Sequence, residues 1–130
     1  MSAPIRIAIA GHGNLGRGVE AAITRNPDMR LVGIYSRRPP SQIQPLTAGV
    51  PVHGMDALAG HASGIDVLIL CGGSKEDLPE QGPKLAALCN TVDSFDTHAR
   101  IPEYFAAVDA PARAHGKTAL ISAGWDPGMF

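Results

Sequence analysis

The chain has 130 residues, of which 45% are hydrophobic and 18% charged, and its formal net charge is −1. This composition is typical of a folded globular domain and excludes a disordered chain, while the near-zero charge gives no general attraction to nucleic acid or to anionic lipid. No apolar run approaches the roughly 20 residues of a membrane span and no signal peptide precedes the first strand, so we expect a cytoplasmic protein with no nucleic-acid or membrane partner.

Apolar, β-branched runs alternate with segments of helical period along the whole chain. The first half predicts strands at 5–10, 31–35 and 50–52, a helix after the first strand and a short helix over 55–61. One apolar face of the first predicted helix carries Leu15, Val19, Ala22 and Ile23. The prolines between 39 and 49 predict a loop in place of a crossover helix, and Pro51 suits a strand at a sheet edge.

The second half of the chain predicts three further strands, at 65–71, 91–95 and 118–123, with a helix in each interval. Gly82-Pro83 should bend or delay the first of these helices, whereas Pro102 suits the first turn of the second helix and Gly116 its C-terminal stop. Alternating strands and helices indicate a parallel sheet covered on both faces. We therefore predict an α/β fold, a doubly wound parallel sheet of the Rossmann type with strand order 3-2-1-4-5-6, as one domain over residues 1–130.

A glycine-rich loop follows the first strand and opens the first helix. It reads Gly11, His12, Gly13, Asn14, Leu15, Gly16, which is the G-x-G-x-x-G pattern in its proper context. In this pattern the first glycine permits a tight turn, the second lets the backbone approach a pyrophosphate, and the third allows close helix–strand packing. The pattern predicts a dinucleotide site. The alternative is a glycine turn with a structural role alone.

The end of the second strand indicates which dinucleotide binds. A site specific for NAD usually has an Asp or Glu about 20 residues past the loop, and Ser36 stands there, followed by Arg37 and Arg38. A hydroxyl and two guanidinium groups would bind a 2′-phosphate that a carboxylate would repel. The sequence favours NADP, the alternative being a solvated basic loop before the prolines.

Four small or apolar residues follow the fourth strand, at the edge where open α/β sheets bind their ligands: Cys71, Gly72, Gly73 and Ser74. They predict a close passage of the chain beside the cofactor. Cys71 is a poor candidate nucleophile because no cationic or histidine neighbour in sequence lowers its pKa. No metal site is predicted.

Three stretches together resemble the meso-diaminopimelate dehydrogenase family: 11–17, 93–98 and 124–130. The last of them, Gly-Trp-Asp-Pro-Gly-Met-Phe, is much more specific than the glycine loop. Segments at 26–29, 31–38 and 79–81 support the likeness, which covers essentially the whole chain. Enzymes of that family use NADP to deaminate the D-centre of meso-2,6-diaminopimelate oxidatively, in lysine and peptidoglycan precursor metabolism.

The resemblance also implies residue roles. Cofactor contacts would come from residues of five loops, namely Gly11, His12, Gly13, Asn14, Leu15, Gly16, Ser36, Arg37, Arg38, Cys71, Gly72, Gly73, Ser74, Ser94, Phe95, Asp96, Ser122, Ala123, Gly124, Trp125 and Asp126. Asp96 and Asp126 would hold the ammonium of the D-centre against the nicotinamide, as catalytic and substrate-binding residues. From its chemistry, Trp125 can supply an apolar wall beside the ring as a further substrate-binding residue. The family implies a homodimer and a second domain for dimerisation and the remaining substrate contacts, so we expect the isolated chain to be nearly inactive.

Several alternatives remain open at this point. Asp96 could cap the following helix and Asp126 could be a turn residue before Pro127-Gly128, while His98 is best interpreted as structural or solvated. For the whole chain the alternatives are another two-domain NADP reductase and a non-catalytic NADP-binding or sensor domain.

Overall fold

The computed structural model describes residues 3–124, which form a six-stranded sheet with helices between the strands. The strands are β1 (Ile5–Ala10), β2 (Met29–Ser36), β3 (Val52–Gly54), β4 (Val67–Leu70), β5 (Thr91–Asp93) and β6 (Ala119–Leu120). Their order is β3-β2-β1-β4-β5-β6, and the predicted parallel doubly wound topology is confirmed.

Four α-helices connect the strands: α1 (Asn14–Thr24), α2 (Leu58–His61), α3 (Asp77–Ala86) and α4 (Ile101–Ala114). Short 3-10 turns lie at Pro40–Gln42, Met55–Ala57, Ala62–Gly64 and His98–Arg100. Among these described helices none is long and apolar enough to cross a membrane. The chain divides into two compact units, Met1–Cys71 and Gly72–Phe130. The single domain over 1–130 stays a prediction.

The core of the first unit centres on β1 and one face of α1. Ile7, Ile9 and Ile23 are buried together, and each such side chain contributes roughly 1.5–3 kcal/mol relative to exposure. The predicted apolar face of α1 is wrong in part, because Leu15 is 46% exposed while Glu20 is fully buried. The buried row runs through Gly16, Glu20 and Ile23, since the absence of a side chain at Gly16 lets that row approach the sheet.

Five of the six strands differ from the prediction in their bounds. β4 (Val67–Leu70) and β5 (Thr91–Asp93) are shorter than the predicted 65–71 and 91–95. β2 is longer at both ends, and its register with β1 shifts between Ile7 and Ala8. β3 begins after Pro51, whose carbonyl oxygen still accepts a hydrogen bond from Ile34 N at 3.0 Å. β6 has two residues where six are expected, because Ser122 turns into the left-handed region at φ 58° and ends the extended run.

The second unit packs α3 against α4 although each helix contains an internal proline, Pro83 and Pro111. A Cβ at Gly82 would overlap the Tyr104 hydroxyl, so this glycine lets the two helices come close. Gly116 adopts φ 66° just past α4, as its predicted role of C-terminal stop requires.

Candidate nucleotide-binding site

Two of the loop glycines are required by the fold itself. Gly11 has φ 100°, in the region that favours glycine, which makes the tight turn after β1 possible. A Cβ at Gly16 would overlap the carbonyl oxygen of Gly11, so the first turn of α1 packs directly on the loop. Both residues therefore have the conformational roles that the pattern predicts.

Gly13 is different, because the fold has no need of a glycine there. Its φ of −90° and ψ of −153° are open to any residue, and a Cβ would meet no atom within 4 Å. It stands at the N-cap of α1, where the first turn carries no acidic side chain and no side chain caps the helix. The open space at a helix N-terminus suits a ligand phosphate that needs close approach to the backbone.

A cleft of about 480 Å³ adjoins Gly13 and is lined by three parts of the chain, within 12–17, at 38 and over 42–46. Among residues 3–124 its charged lining groups are the guanidinium groups of Arg17 and Arg38, and none of these lining residues carries a carboxylate. The other lining residues are His12, Asn14, Gln42, Ile43, Gln44, Pro45 and Leu46. Cationic and amide donors around one opening favour a polyanionic ligand, and guanidinium groups bind phosphate oxygens in pairs.

Arg38 joins the end of β2 to the glycine loop. Its Nη2 donates to the carbonyl oxygen of His12 at 3.0 Å, and its backbone N donates to the Ser36 hydroxyl at 3.0 Å. Ser36 is 5% exposed, so its side chain shapes the turn. The structure thus brings Ser36 and Arg38 beside His12. Arg37 and Arg38 are both exposed.

A buried polar network that the sequence did not reveal supports this loop. His12 Nε2 donates to Glu20 Oε1 at 2.7 Å, and Glu20 Oε2 accepts from the backbone N of Thr47 at 2.7 Å. Burial raises the pKa of Glu20, but the hydrogen bonds from His12, Thr47 and Leu46 outweigh it and lower the pKa overall. Glu20 is therefore ionised and ties the glycine loop to the 43–50 segment. The sequence signal that could have revealed this network is a charged residue, Glu20, in the same helical row as Gly16 and Ile23.

Cys71 ends the first unit with a protonated thiol. Burial raises its pKa to about 12, and both cysteines are free. A thiol with this pKa carries almost no thiolate near neutral pH, so it is a poor nucleophile. Its backbone N donates to Ala10 O at 2.8 Å, which keeps the chain close to β1.

In the second unit, the loop after β4 is tied to the loop after β5. The Ser74 hydroxyl accepts a hydrogen bond from Asp96 N at 2.9 Å. Gly73 N donates to Asp77 Oδ2 at 3.1 Å, and a Cβ at Gly72 would lie 2.7 Å from the Asp77 Cβ. Gly72 therefore lets the loop fold onto the start of α3, and the Ser74–Asp96 bond joins this loop to the loop after β5.

Asp96 presents its carboxylate to solvent. Within residues 3–124 this side chain has no hydrogen bond or ion pair, and the turn that follows has Thr97 at its N-cap with no side-chain cap. The alternative that Asp96 caps the next helix is therefore wrong. Phe95 is buried and stacks on Tyr104 at 4.1 Å between ring centroids, whereas Ser94 is half-buried and His98 is exposed.

The loop after β6 returns to β5 through two hydrogen bonds. Ser122 N donates to Asp93 Oδ1 at 3.0 Å and Ala123 N donates to Asp93 O at 2.8 Å. Ser122 at φ 58° and Gly124 at φ 137° both lie in the left-handed half of backbone space. Trp125 and Asp126, two of the predicted substrate residues, lie outside the described residues.

The strand order, the glycine loop on a helix N-terminus and the basic cleft are those of a dinucleotide-binding domain of the Rossmann type. A chain of Staphylococcus aureus homoserine dehydrogenase shares this fold, with a TM-score of 0.71 at 16% identity over 95% of this chain and 34% of that chain. No family model matches the chain.

The chain is a homologue of the meso-diaminopimelate D-dehydrogenases, which confirms the resemblance seen in the sequence. It is 59% identical to the enzyme of Ureibacillus thermosphaericus and 57% identical to that of Lysinibacillus sphaericus, in each case over 126 residues, 97% of this chain and 38% of the relative. The chain thus spans 38% of the length of the curated relatives it matches.

Two solved dehydrogenase structures are also similar to this chain over almost its whole length. An engineered D-amino acid dehydrogenase bound to NADP⁺ superposes with a TM-score of 0.88 at 49% identity, over 98% of this chain and 38% of that one. The diaminopimelate dehydrogenase of Corynebacterium glutamicum, in complex with diaminopimelate, has a TM-score of 0.88 at 48% identity over the same shares.

Proposed function

We propose that this chain is the NADP-binding part of a meso-diaminopimelate D-dehydrogenase. The observation that carries the cofactor assignment is the open space at Gly13 beside a cleft whose charged groups are Arg17 and Arg38. A pyrophosphate would take the space at Gly13, against the N-terminus of α1. The similarity to an NADP⁺-bound D-amino acid dehydrogenase supports the same ligand.

The preference for NADP over NAD rests on the turn after β2. Ser36, Arg37 and Arg38 supply a hydroxyl and two guanidinium groups where an NAD-specific site supplies a carboxylate. Arg38 is held in place by its bond to the His12 carbonyl, so part of its donor set is already oriented toward the loop. When bound, NADP⁺ supplies the hydride acceptor of the reaction.

The substrate assignment rests on Asp96 together with the relatives. A carboxylate that faces solvent, has no partner within residues 3–124 and sits on a loop fixed by Ser74 is available to hold an ammonium group. Asp126 would supply the second carboxylate, and Trp125 the apolar wall. Held in this way, meso-diaminopimelate, water and NADP⁺ would give L-2-amino-6-oxopimelate, ammonium, NADPH and one proton.

The remaining expectations come from the resemblance alone. We propose that the working enzyme is a homodimer in the cytoplasm and that residues beyond those of this chain grip the substrate carboxylates. The isolated chain would then bind NADP with little turnover.

The test is stereochemical. NADPH formation by the complete gene product is followed at alkaline pH with the meso, LL and DD isomers of diaminopimelate offered separately. We expect oxidation of the meso isomer and none of the LL isomer, which lacks a D-centre. No activity on the meso isomer despite tight NADP binding would favour another NADP reductase or a non-catalytic NADP-binding domain.

A further inference from the structure

A buried carboxylate at the end of β5 joins the two loops that carry the predicted substrate residues. Asp93 is 3% exposed, and its Oδ1 accepts hydrogen bonds from Phe95 N and from Ser122 N, both at 3.0 Å. Phe95 immediately precedes Asp96, and Ser122 opens the loop that leads to Trp125 and Asp126 in sequence. One oxygen atom therefore fixes the starting points of both loops.

The second oxygen of the same carboxylate is held from α4. The Tyr104 hydroxyl donates to Asp93 Oδ2 at 2.5 Å. Burial raises the pKa of Tyr104, and the hydrogen bond to Asp93 and the negative charge of its carboxylate raise it further, so the hydroxyl remains a donor. The Tyr104 ring also stacks on Phe95, at 9° between ring planes. The orientation of the carboxylate is thus set from the helix side.

The position of the Tyr104 hydroxyl is itself restricted. Gly82 on α3 leaves the space that the hydroxyl occupies, because any Cβ at that position would overlap it. A glycine inside a helix costs stability relative to alanine, so its presence at this contact favours a specific packing role. The geometry around Asp93 is therefore built from three elements of the second unit: α3, α4 and β5.

Ser122 provides a second, independent observation. It is the single non-glycine residue of the described chain with a positive φ, at 58°. A strained backbone of this kind persists when its surroundings hold it, and such strain clusters at functional sites. Its backbone N bonds to Asp93 Oδ1, and the next backbone N, of Ala123, bonds to the Asp93 carbonyl oxygen.

We propose that Asp93 is a positioning residue, whose buried carboxylate fixes the loop bearing Asp96 and the loop that begins at Ser122 relative to one another. The proposal rests on the proposed function for the identity of the substrate. Asp93 does not contact the substrate. It acts through the main chain of both loops, and a shift of about 1 Å in such a loop can cost about 10²-fold in turnover.

The chain offers a matched control on the same pair of strands. Asn90 Oδ1 accepts a hydrogen bond from Thr118 N at 3.0 Å, which links β5 and β6 at their amino ends, away from the loops. Asn90→Ala removes a side-chain-to-backbone bond just before β5 and β6, whereas Asp93→Ala removes one just after β6. Asp93→Asn keeps an oxygen that can accept from both backbone N–H groups and loses the negative charge.

Trp125 is the only tryptophan of the chain, three residues after Ser122, so its fluorescence reports directly on the second loop. For the chain and its three variants we would measure the unfolding midpoint and the emission maximum and acrylamide quenching of Trp125 fluorescence. For the complete gene product with the same substitutions we would measure kcat and KM for meso-diaminopimelate well below the unfolding midpoint. If Asp93 had a purely structural role, its substitution would change the unfolding midpoint and leave kcat and the Trp125 emission unchanged.

We expect Asp93→Ala to lower kcat by about 10²-fold and to change the Trp125 emission, with Asp93→Asn intermediate at about ten-fold. Asn90→Ala should lower the midpoint and leave kcat and emission within error. Equal kcat losses in Asp93→Asn and Asn90→Ala, or an Asp93→Ala variant with normal kcat and emission, would overturn the proposal. If Asp93→Ala does not fold, the comparison of Asp93→Asn with Asn90→Ala decides. An inactive wild-type protein would refute the substrate assignment, and the emission data would still test Asp93.

Discussion

The imidazole of His12 and the carboxylate of Glu20 form a hydrogen bond of 2.7 Å in which both side chains are almost completely buried. Because an ionised carboxylate can only accept, the Nε2 of His12 carries the proton. His12 belongs to the glycine loop and Glu20 to the second turn of α1, so the bond ties the loop to the helix that it opens. The second oxygen of Glu20, bonded to Thr47 N, extends this support to the segment that walls the cleft.

Glu20→Gln should therefore destabilise the chain without unfolding it. The amide keeps the volume of the side chain but removes the negative charge that accepts hydrogen bonds from His12 and Thr47, and the loss of these charge-assisted bonds costs about 1–3 kcal/mol. Urea unfolding near pH 7 measures the loss. Glu103→Gln, on an exposed pair with Arg100, is the matched control and should leave the free energy of unfolding unchanged.

The same variant makes the pH dependence testable. Since the pKa of Glu20 is lowered in the folded chain, its contribution is complete above the ordinary value of 4.5 and is lost as the pH falls through the lower folded value. The difference in unfolding free energy between wild type and Glu20→Gln should be constant above pH 5 or so and shrink below about pH 4. A difference that grows on acidification would contradict this account of the network.

Substituting alanine for each of the three glycines in α1 and at its N-cap should have a different effect on folding and on NADP binding. Gly13→Ala should fold normally and lose most NADP affinity, because its Cβ enters empty space where a pyrophosphate would lie. Gly18→Ala, with nothing within 4 Å and a helical backbone, should bind normally and gain up to about 1 kcal/mol. Gly16→Ala should destabilise the fold, because its Cβ overlaps the Gly11 carbonyl.

Circular dichroism combined with an NADP⁺ titration separates folding from binding in these variants. Normal NADP affinity in a folded Gly13→Ala variant would show that the glycine loop has only the structural role of a turn. The larger Gly13→Val change offers a second version of the same test, with complete loss of binding expected.

The sequence predicted the fold well where local patterns decide it, and failed where a charged side chain is buried. The isoleucine-rich run 5–10 is short and is followed by glycines, which favours a strand, and the glycine pattern needs its strand and helix neighbours, so both could be predicted. Glu20 and Asp93 escaped notice because carboxylates are usually exposed, and their burial depends on partners distant in sequence, Thr47 and Tyr104. The short β6 likewise depends on the turn at Ser122.

The Asp96→Asn and Asp126→Asn substitutions should each impair turnover with little effect on NADP binding. The substitution keeps the shape of the side chain and removes the charge that would hold the ammonium group. We expect a fall of at least about 10²-fold in kcat/KM for meso-diaminopimelate in the complete gene product. Asp109→Asn, which loses one charge on the exposed face of α4, should leave kcat/KM unchanged. Wild-type turnover in Asp96→Asn would remove this residue from the site.

Calorimetric titration of the chain with NADP⁺ and with NAD⁺ tests the central claim most directly, because it needs no substrate and no other part of the enzyme. We predict that NADP⁺ binds at least about ten-fold more tightly than NAD⁺, as expected from one or more charged hydrogen bonds to the 2′-phosphate. The Arg37→Ala/Arg38→Ala double variant should lose that preference and bind the two cofactors alike. Equal affinities in the wild-type chain, or an unchanged NADP⁺ affinity in the double variant, would contradict the assignment of this cleft to NADP.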